Sequence, residues 1–232
     1  MNRLCTICAR AGSKGVANKT VRNLCGQPLI SHTIKQAINS EIFDFVAVSS
    51  DSHEILNIAK DCGVDFCIKR PEHLATDNAA KLPVIQHCAL EVEKLTNQTF
   101  DTYVDLDATS PLRSIEDILN SVNLLESSSS SNVITAAPSR RSPYFNLVEI
   151  NENDVVQLSK SSNNAVTRRQ DSPDCYDMNA SIYVWNRNTL MQKDPSLFNK
   201  DTRLYVMPEE RSQDIDSELD FLIVKTIMEL QE

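Results

Sequence analysis

The feature that most constrains the fold is an alternation that runs through residues 1–138. Short runs of β-branched and aromatic residues are each followed by a stretch with helical spacing. "RLCTICA" (3–9) reads as a buried strand. "LISHTIKQAINS" (29–40) sets Leu29, Ile30, Ile34, Ala37 and Ile38 on one helical face. "FDFVAVSSD" (43–51) is a second strand. "SHEILNIAKDCG" opens on a Ser cap and stops on Gly, so it carries both helix signals. "VDFCIKR" is a third strand, and "AAKLPVIQHCALEVEKL" is a helix with Pro83 near its first turn. "TYVDLDATSP" is a strand ending in a turn. "SIEDILNSVNLLESS" is a helix capped by Ser114, and "NVITAAP" is another strand. Repeated β-α-β units with short connections predict an α/β domain built on a mostly parallel sheet with helices on both faces. Ligands of such sheets bind beyond the carboxyl ends of the strands.

The order changes after residue 139. "SRRSPYFNLVEINENDVVQLSK" has two strand-like runs around the turn residues "NEND", a β-hairpin signal. A polar stretch, "SSNNAVTRRQDSPDCY", leads to the strand "MNASIYVWNR" and the closing amphipathic helix "ELDFLIVKTIMELQE". Residues 140–171 are therefore expected to form an arm inserted in a single domain spanning 1–232. Apolar residues on a protruding arm need a partner surface, and a second copy of the chain is the simplest, so a homodimer is expected. A flap over the site is the alternative.

Composition narrows the function. A formal net charge of −9 argues against nucleic acid as a partner. No apolar run approaches the ~20 residues of a membrane helix, and "MNRLCTICAR" is too short for a secretory signal, so a cytoplasmic location without membrane contact is expected. Seven cysteines are scattered; Cys5 and Cys8 form a CxxC, but within a strand that spacing points them to opposite faces. No second pair or histidine cluster completes a zinc site, and reduced, mostly buried thiols are expected. His32 and His87 read as packing residues and His73 as structural; no Ser/His/Asp triad is suggested.

Two constellations carry chemistry. The chain has only four glycines and places Gly12 and Gly15 in "ARAGSKGVANKT", directly after the first strand. Amides freed by these glycines can form an anion nest, with Arg10, Lys14 and Lys19 around it. The loop matches neither GxGxxG nor GxxxxGK[ST], so it is neither a dinucleotide fingerprint nor a Walker loop. In "DIDSELD", Asp214 and Asp216 are two residues apart and share a side if the segment is extended. Two hard oxygen ligands suit Mg²⁺. The same stretch reads as an acidic helix start capped by Ser217, and both readings are compatible.

"RAGSKGVANK" resembles the signature loop of the CMP-sialic acid synthetases, the acylneuraminate cytidylyltransferases, whose usual form is R-x-x-S-K-G-x-x-x-K-N; Thr20 stands where Asn is usual. The resemblance continues in order through "VSSD", "RPEHLATD", "ATSPLR", "RQDSP", "NASIYV" and "DIDSELDF". It implies a three-layer Rossmann-like nucleotidyltransferase fold with an inserted β-hairpin dimerisation arm. It also implies a reaction in which CTP and a nonulosonic acid give a CMP-sugar and pyrophosphate. By the same resemblance Arg10, Gly12, Ser13, Lys14 and Lys19 form the triphosphate cradle, Arg70 and Ser110 join the nucleotide set, and Asp214 and Asp216 hold Mg²⁺. Arg10, Lys19 and Asp216 are the catalytic candidates. Preplaced cations and amides are what charge on the transferring phosphoryl group requires.

The sugar half departs from sialate enzymes. Asp107 replaces a sugar-contacting glutamine, Phe145 stands near a usual lysine, and Asp177 stands where some relatives have arginine. An ionised Asp only accepts hydrogen bonds, so Asp107 is expected to face a donor on the sugar. Arg169 is retained for the sugar carboxylate, a bidentate task, and Asn179 is retained too. "DLDATSPLR" resembles the bacterial branch that activates legionaminic-type sugars. The expected order of substrates is legionaminic, then N-acetylneuraminic, then pseudaminic acid. The alternatives are an enzyme for Kdo, whose "R-x-x-S-T-R-L-P-G-K" loop fits poorly, and a noncatalytic nucleotide-binding protein on the same fold.

Overall fold

Strand β1 (Arg3–Cys8) shows why the sheet is covered on both faces. Cys5 and Ile7 bury into one apolar cluster and Leu4 into another, each fully inaccessible. A strand buried on two faces reads as a continuous apolar run rather than an alternating one. The computed structural model describes residues 1–12, 16, 18–76, 78–161 and 168–231. After β1 come the short pair β2 (Asn23–Leu24) and β3 (Gln27–Pro28), then α1 (Leu29–Asn39), β4 (Phe45–Ser50), α2 (His53–Asp61), β5 (Phe66–Lys69) and α3 (Lys81–Thr96). β6 (Thr102–Leu106), α4 (Ile115–Glu126), β7 (Asn132–Pro138), β8 (Val148–Ile150) and β9 (Val156–Leu158) follow. The chain ends with β10 (Tyr176–Asn186), α5 (Arg187–Leu190), β11 (Arg203–Val206) and α6 (Glu218–Gln231).

The main sheet has seven strands in the order β11-β7-β10-β6-β1-β4-β5. Helices α1, α2 and α4 pack on one face through Ile30, Ile34, Ile55, Ala59, Ile118 and Val122. Helix α3 covers the other through Ile85, Cys88, Ala89 and Val92, with Leu190 of α5 beside it. Cys5 and Cys8 do face opposite clusters, as a strand spacing of three requires. All neighbouring pairs are parallel except those of β10, which runs antiparallel to both β6 and β7. The start of β10 therefore lies at the same edge as the carboxyl ends of the other strands, with Tyr176 beside Pro138. A bulge between Met178 and Tyr183 accompanies the left-handed Ala180, at φ 52°.

Ser114 and Asp117 close a reciprocal capping box at the start of α4. Asp117 is fully buried and also accepts from Arg211 Nε at 2.8 Å and Nη2 at 2.9 Å. Burial alone raises its pKa, but Arg211 and Ser114 outweigh that and hold it below the ordinary value. This bridge pins the segment after β11 against α4.

The hairpin expected in 140–171 is present. β8 and β9 pair antiparallel, Val148 opposite Leu158, around a turn with Asp154 at φ 57°. Ile150 is 70% exposed and Val156 62%, so the hairpin stands away from the core. Residues 162–167 of the arm lie outside the described residues. The expectation of mostly buried thiols needs correction. None of the seven is in a disulfide, yet only Cys5 and Cys88 are buried and Cys67 is exposed. Cys67 lies on β5, the edge strand, which has one face uncovered. Strand β11, at the other edge, was not foreseen. No described helix is long and apolar enough to cross a membrane.

Candidate functional site

The loop after β1 is tied to β4 before it turns outward. Ala9 N donates to Ser49 O at 3.0 Å and Ala11 N to Asp51 Oδ1 at 3.0 Å. Gly12 then takes φ +76°, a left-handed conformation in which a side chain is strained. Arg10, Gly12, Asn18 and Thr20 line a small cavity with Ser52 and Glu54 of the α2 start. Thr20, the residue in place of the usual Asn, is buried there. Ser13, Lys14 and Gly15 lie outside the described residues.

Lys19 joins the two constellations. It is 9% exposed, and its Nζ donates to Asp216 Oδ1 at 3.0 Å and to the backbone carbonyl of Ile215. The glycine-bearing loop and "DIDSELD", at opposite ends of the sequence, thus form one site. Ile215 is fully buried and its amide donates to Thr109 O at 3.0 Å, which leaves the flanking carboxylates facing away from the core. Ser217 caps α6: its Oγ accepts from Asp220 N at 3.2 Å and its amide donates to Asp220 Oδ2 at 2.7 Å. The cap and the acidic pair coexist, with Asp216 exposed and Asp214 half-buried. Burial, with the nearby Asp216 adding to it, pushes the Asp214 carboxyl up to about 6. A dication relieves the cost of holding the Asp214 carboxylate charged beside Asp216, so the donor set fits Mg²⁺. Among the described residues no group of three or more His, Cys, Asp or Glu surrounds a common point. Mg²⁺ commonly takes only one or two carboxylates and completes its shell with phosphate oxygens and water.

The other nucleotide candidates lie deeper. Arg70, at the end of β5, is 5% exposed and donates from Nη2 to Ser49 O at 2.9 Å, clamping β4 to β5. Ser110 is fully buried, and its hydroxyl has no hydrogen-bond partner among the described residues.

On the sugar side, β7, the start of β10 and the 209–214 segment enclose a cavity of about 390 Å³ lined by Arg140, Asp177, Asn179, Glu209 and Asp214. A second, of about 390 Å³, adjoins it at Pro138 and is lined by Ser139, Arg141 and Arg169. Asp177 accepts from Ser139 Oγ at 2.8 Å, and Arg169 reaches the Ser139 carbonyl. Asn179 is buried with its amide group engaged on both ends: Oδ1 accepts from Thr135 Oγ1 at 2.7 Å and Nδ2 donates to Ser212 Oγ at 2.9 Å.

Asp107 differs from the expectation of a carboxylate left to the sugar. Its Oδ2 is 2.7 Å from Lys81 Nζ, and its Oδ1 accepts from Thr109 N and Oγ1, each at 2.8 Å. The reason is Lys81, the first residue of α3, which sequence reading passed over. Its Nζ is also 3.2 Å from Asp105 Oδ2 and 4.9 Å from the Tyr183 ring centre. Burial opposes the charge on Lys81, but Asp107 and Asp105 outweigh it and raise its pKa above the ordinary lysine value. Burial likewise opposes ionisation of Asp107, and Lys81 outweighs it and holds the pKa low. Arg113 was overlooked as well. Fully buried, it donates to the carbonyls of Asp107 and Ser181 and to Thr33 Oγ1 at 2.9 Å. Burial lowers its pKa to about 10, which still leaves it charged at neutral pH.

A parallel-rich α/β sheet whose strand ends carry a glycine turn, buried cations and a carboxylate pair defines a nucleotide-handling protein of the nucleotidyltransferase type. The family model described as "Cytidylyltransferase" matches residues 4–226, and the chain belongs to that family. It is 48% identical to "CMP-N,N'-diacetyllegionaminic acid synthase" of Campylobacter jejuni, over 98% of this chain and 95% of the relative. It is also 48% identical to "Post-translational flagellin modification protein B" of Campylobacter coli, over 97% of this chain and 94% of the relative. Among solved structures, CMP:2-keto-3-deoxy-manno-octonic acid synthetase complexed with CTP superposes with a TM-score of 0.73, at 16% identity and over 100% of both chains. At that identity the superposition speaks for the fold alone.

Proposed function

We propose that the protein activates a nonulosonic acid with CTP, releasing pyrophosphate and forming a CMP-sugar, with legionaminic-type acids as the preferred substrates. The observation that carries this reading is the Lys19–Asp216 contact, which unites the glycine loop and the acidic pair at the carboxyl edge of the sheet. The relative named for diacetyllegionaminic acid supports the sugar class, as does Asp177 on the wall of the cavity. Legionaminic acid is ranked ahead of N-acetylneuraminic acid, and that ahead of pseudaminic acid.

In the reaction the anomeric oxygen attacks the α-phosphorus in line as its O–H bond breaks and the proton passes to water, the bond to the bridging oxygen breaks, and pyrophosphate leaves with its electron pair. Arg10 and Lys19 offset the negative charge on the phosphoryl oxygens, and amides near Gly12 donate to them. Arg169, beside the second cavity, pairs with the sugar carboxylate. Asp177 lines the cavity next to it, and Asn179 holds its wall. Asp214 and Asp216 hold Mg²⁺, which when bound neutralises phosphate charge. Asp216, touching Lys19, orients that ammonium.

Purified protein is incubated with CTP, Mg²⁺ and one sugar acid at a time, and pyrophosphate is measured. The expected result is fastest release with legionaminic acid, slower with N-acetylneuraminic acid and slowest with pseudaminic acid. Equal or faster turnover of N-acetylneuraminic acid would remove the sugar assignment, and no release with any acid despite CTP binding would remove the transfer reading.

The hairpin is proposed to seat against a second copy. Its support is the exposure of Val148, Ile150, Val156 and Leu158, which oppose one another across the two strands and so share one face of a ribbon that is marginal in water on its own. Val148→Asp with Val156→Asp is expected to convert a dimer to a monomer in sedimentation velocity; a parent chain that sediments as a monomer would refute the assignment.

A further inference from the structure

The turn that follows β6 is held in two different ways. Its backbone is fixed from below: Asp107 N donates to Ser181 O at 3.1 Å, while Arg113 and Thr33 bind the Asp107 carbonyl, Thr33 Oγ1 at 3.2 Å. The Asp107 side chain is fixed from above by Lys81 at 2.7 Å. Through Oδ1 that carboxylate folds Thr109 back by two bonds of 2.8 Å, and the Thr109 carbonyl accepts the amide of Ile215 at 3.0 Å. Ile215 sits between Asp214 and Asp216, and its own carbonyl accepts from Lys19. A contiguous chain of contacts therefore runs from α3 to the acidic pair and the buried loop lysine.

The charge arithmetic shows which link is critical. Asp105 is fully buried and two residues from Asp107. Thr6 Oγ1 donates to Asp105 at 2.9 Å but carries no charge. Lys81 is the cation shared by the two carboxylates, at 3.2 and 2.7 Å. Arg113, the other buried cation near the pair, gives its donors to Gln36, Thr33 and the carbonyls of Ser181 and Asp107 and not to the Asp107 carboxylate. Without Lys81 no cation among the described residues contacts that carboxylate, and it lowers its energy by turning to water. Turning releases Thr109, and with it the hydrogen bond that seats Ile215.

We propose that Lys81 is a positioning residue for cytidylyl transfer, holding Asp107 on Thr109 and thereby fixing the Ile215 segment that carries Asp214 and Asp216. The proposal rests on the transfer reading given above. Lys81 acts through its neighbours, and the link between Lys81 and Ile215 is measurable without substrate.

The test compares Lys81→Met, Lys81→Arg, Asp107→Asn and the double variant Lys81→Met with Asp107→Asn. In Lys81→Met, kcat for pyrophosphate release is expected to fall by roughly 10- to 100-fold, the scale of a small misplacement of catalytic groups. KM for CTP is expected to change by less than about threefold, because Arg10 and Lys19 are untouched. Lys81→Arg restores part of the loss. The double variant is no slower than Lys81→Met, because a neutral amide at 107 needs no counter-charge and its oxygen can still accept from Thr109. Amide hydrogen exchange on the substrate-free protein supplies the independent readout: protection at Thr109 and Ile215 falls by about tenfold or more in Lys81→Met while β1 and β6 stay protected. If Lys81→Met fails to fold, Asp107→Asn and Lys81→Arg carry the exchange measurement. Wild-type kcat with unchanged Ile215 protection overturns the proposal, as does an additive loss in the double variant. A parent protein that releases no pyrophosphate overturns the transfer reading instead, and the exchange data then still judge the Lys81–Ile215 link.

Discussion

Lys19→Met is expected to lower kcat for pyrophosphate release by roughly 10²- to 10³-fold, the scale for removing one preplaced donor of a transition-state charge site. Lys19 is nearly buried, so its ammonium meets negative charge where water screens it poorly. Methionine keeps the length and apolar stem of the side chain and removes only the cation. Stability should change little. The Asp216 side chain is 76% exposed, and an ion pair with so exposed a partner contributes little to folding. The Ile215 carbonyl loses a donor, which costs about 1 kcal/mol. Steady-state kinetics and a thermal melt on the same preparation check both halves. A variant with parental kcat and only a raised KM for CTP would show that Lys19 binds the nucleotide without favouring the transition state. Lys19→Arg should recover only a fraction, since a planar fork does not reproduce the geometry of a point charge between a carbonyl and a carboxylate.

Asp214→Asn is expected to remove activity and to stabilise the metal-free protein. The Asp214 carboxyl sits at about 6 in the fold against an ordinary value of 3.8. For a carboxyl raised by folding, the ionised form is the disfavoured one. The penalty is therefore complete above pH 6, shrinks as pH falls through that value, and vanishes below the unfolded value. At pH 7.5 in EDTA the variant should gain roughly 1–2 kcal/mol over the parent in urea denaturation, a figure reduced for partial exposure of the group. At pH 3.5 the two should differ far less. Added Mg²⁺ should stabilise the parent and not the variant, because a ligand that binds only the folded state adds its binding free energy to stability. A less stable Asp214→Asn at pH 7.5 would mean that the carboxylate is a structural acceptor. The expected result is the familiar exchange of stability for function at a charged site.

Sequence alone gives much of this fold, for identifiable reasons. Ser52 and Ser114 cap their helices as read, since an N-cap is a local signal. The "NEND" hairpin is local too. The orientation of β10 was not legible: a strand has the same period of two in either direction, and the neighbours that decide it are 38 or more residues away. β11 is only four residues long, opens on an arginine and lies on an edge, so its short apolar run "LYV" is too brief to mark a strand. In the site, the loop and the acidic pair stood out as motifs, whereas their junction through Lys19 is a tertiary contact. Lys81 gave no signal at all. A lone lysine at a helix start looks like an ordinary solvated residue until the fold brings a carboxylate of β6 and another from the turn after it against it.

The antiparallel β10 has a consequence for the order in which the molecule can be assembled. β6 is finished at residue 106, but the strand that covers its open edge spans 176–186. At ribosomal speeds of roughly 5–20 residues per second, the 80 residues between 106 and 186 take about 4–16 s to appear. Through that interval the nascent chain presents an apolar strand with unpaired backbone groups, the kind of edge that recruits other strands. The contacts that close it are long-range, which slows their formation further. The last quarter of the chain thus acts as the seal on the first half, and truncation before residue 176 should yield aggregates rather than a smaller nucleotide-binding domain.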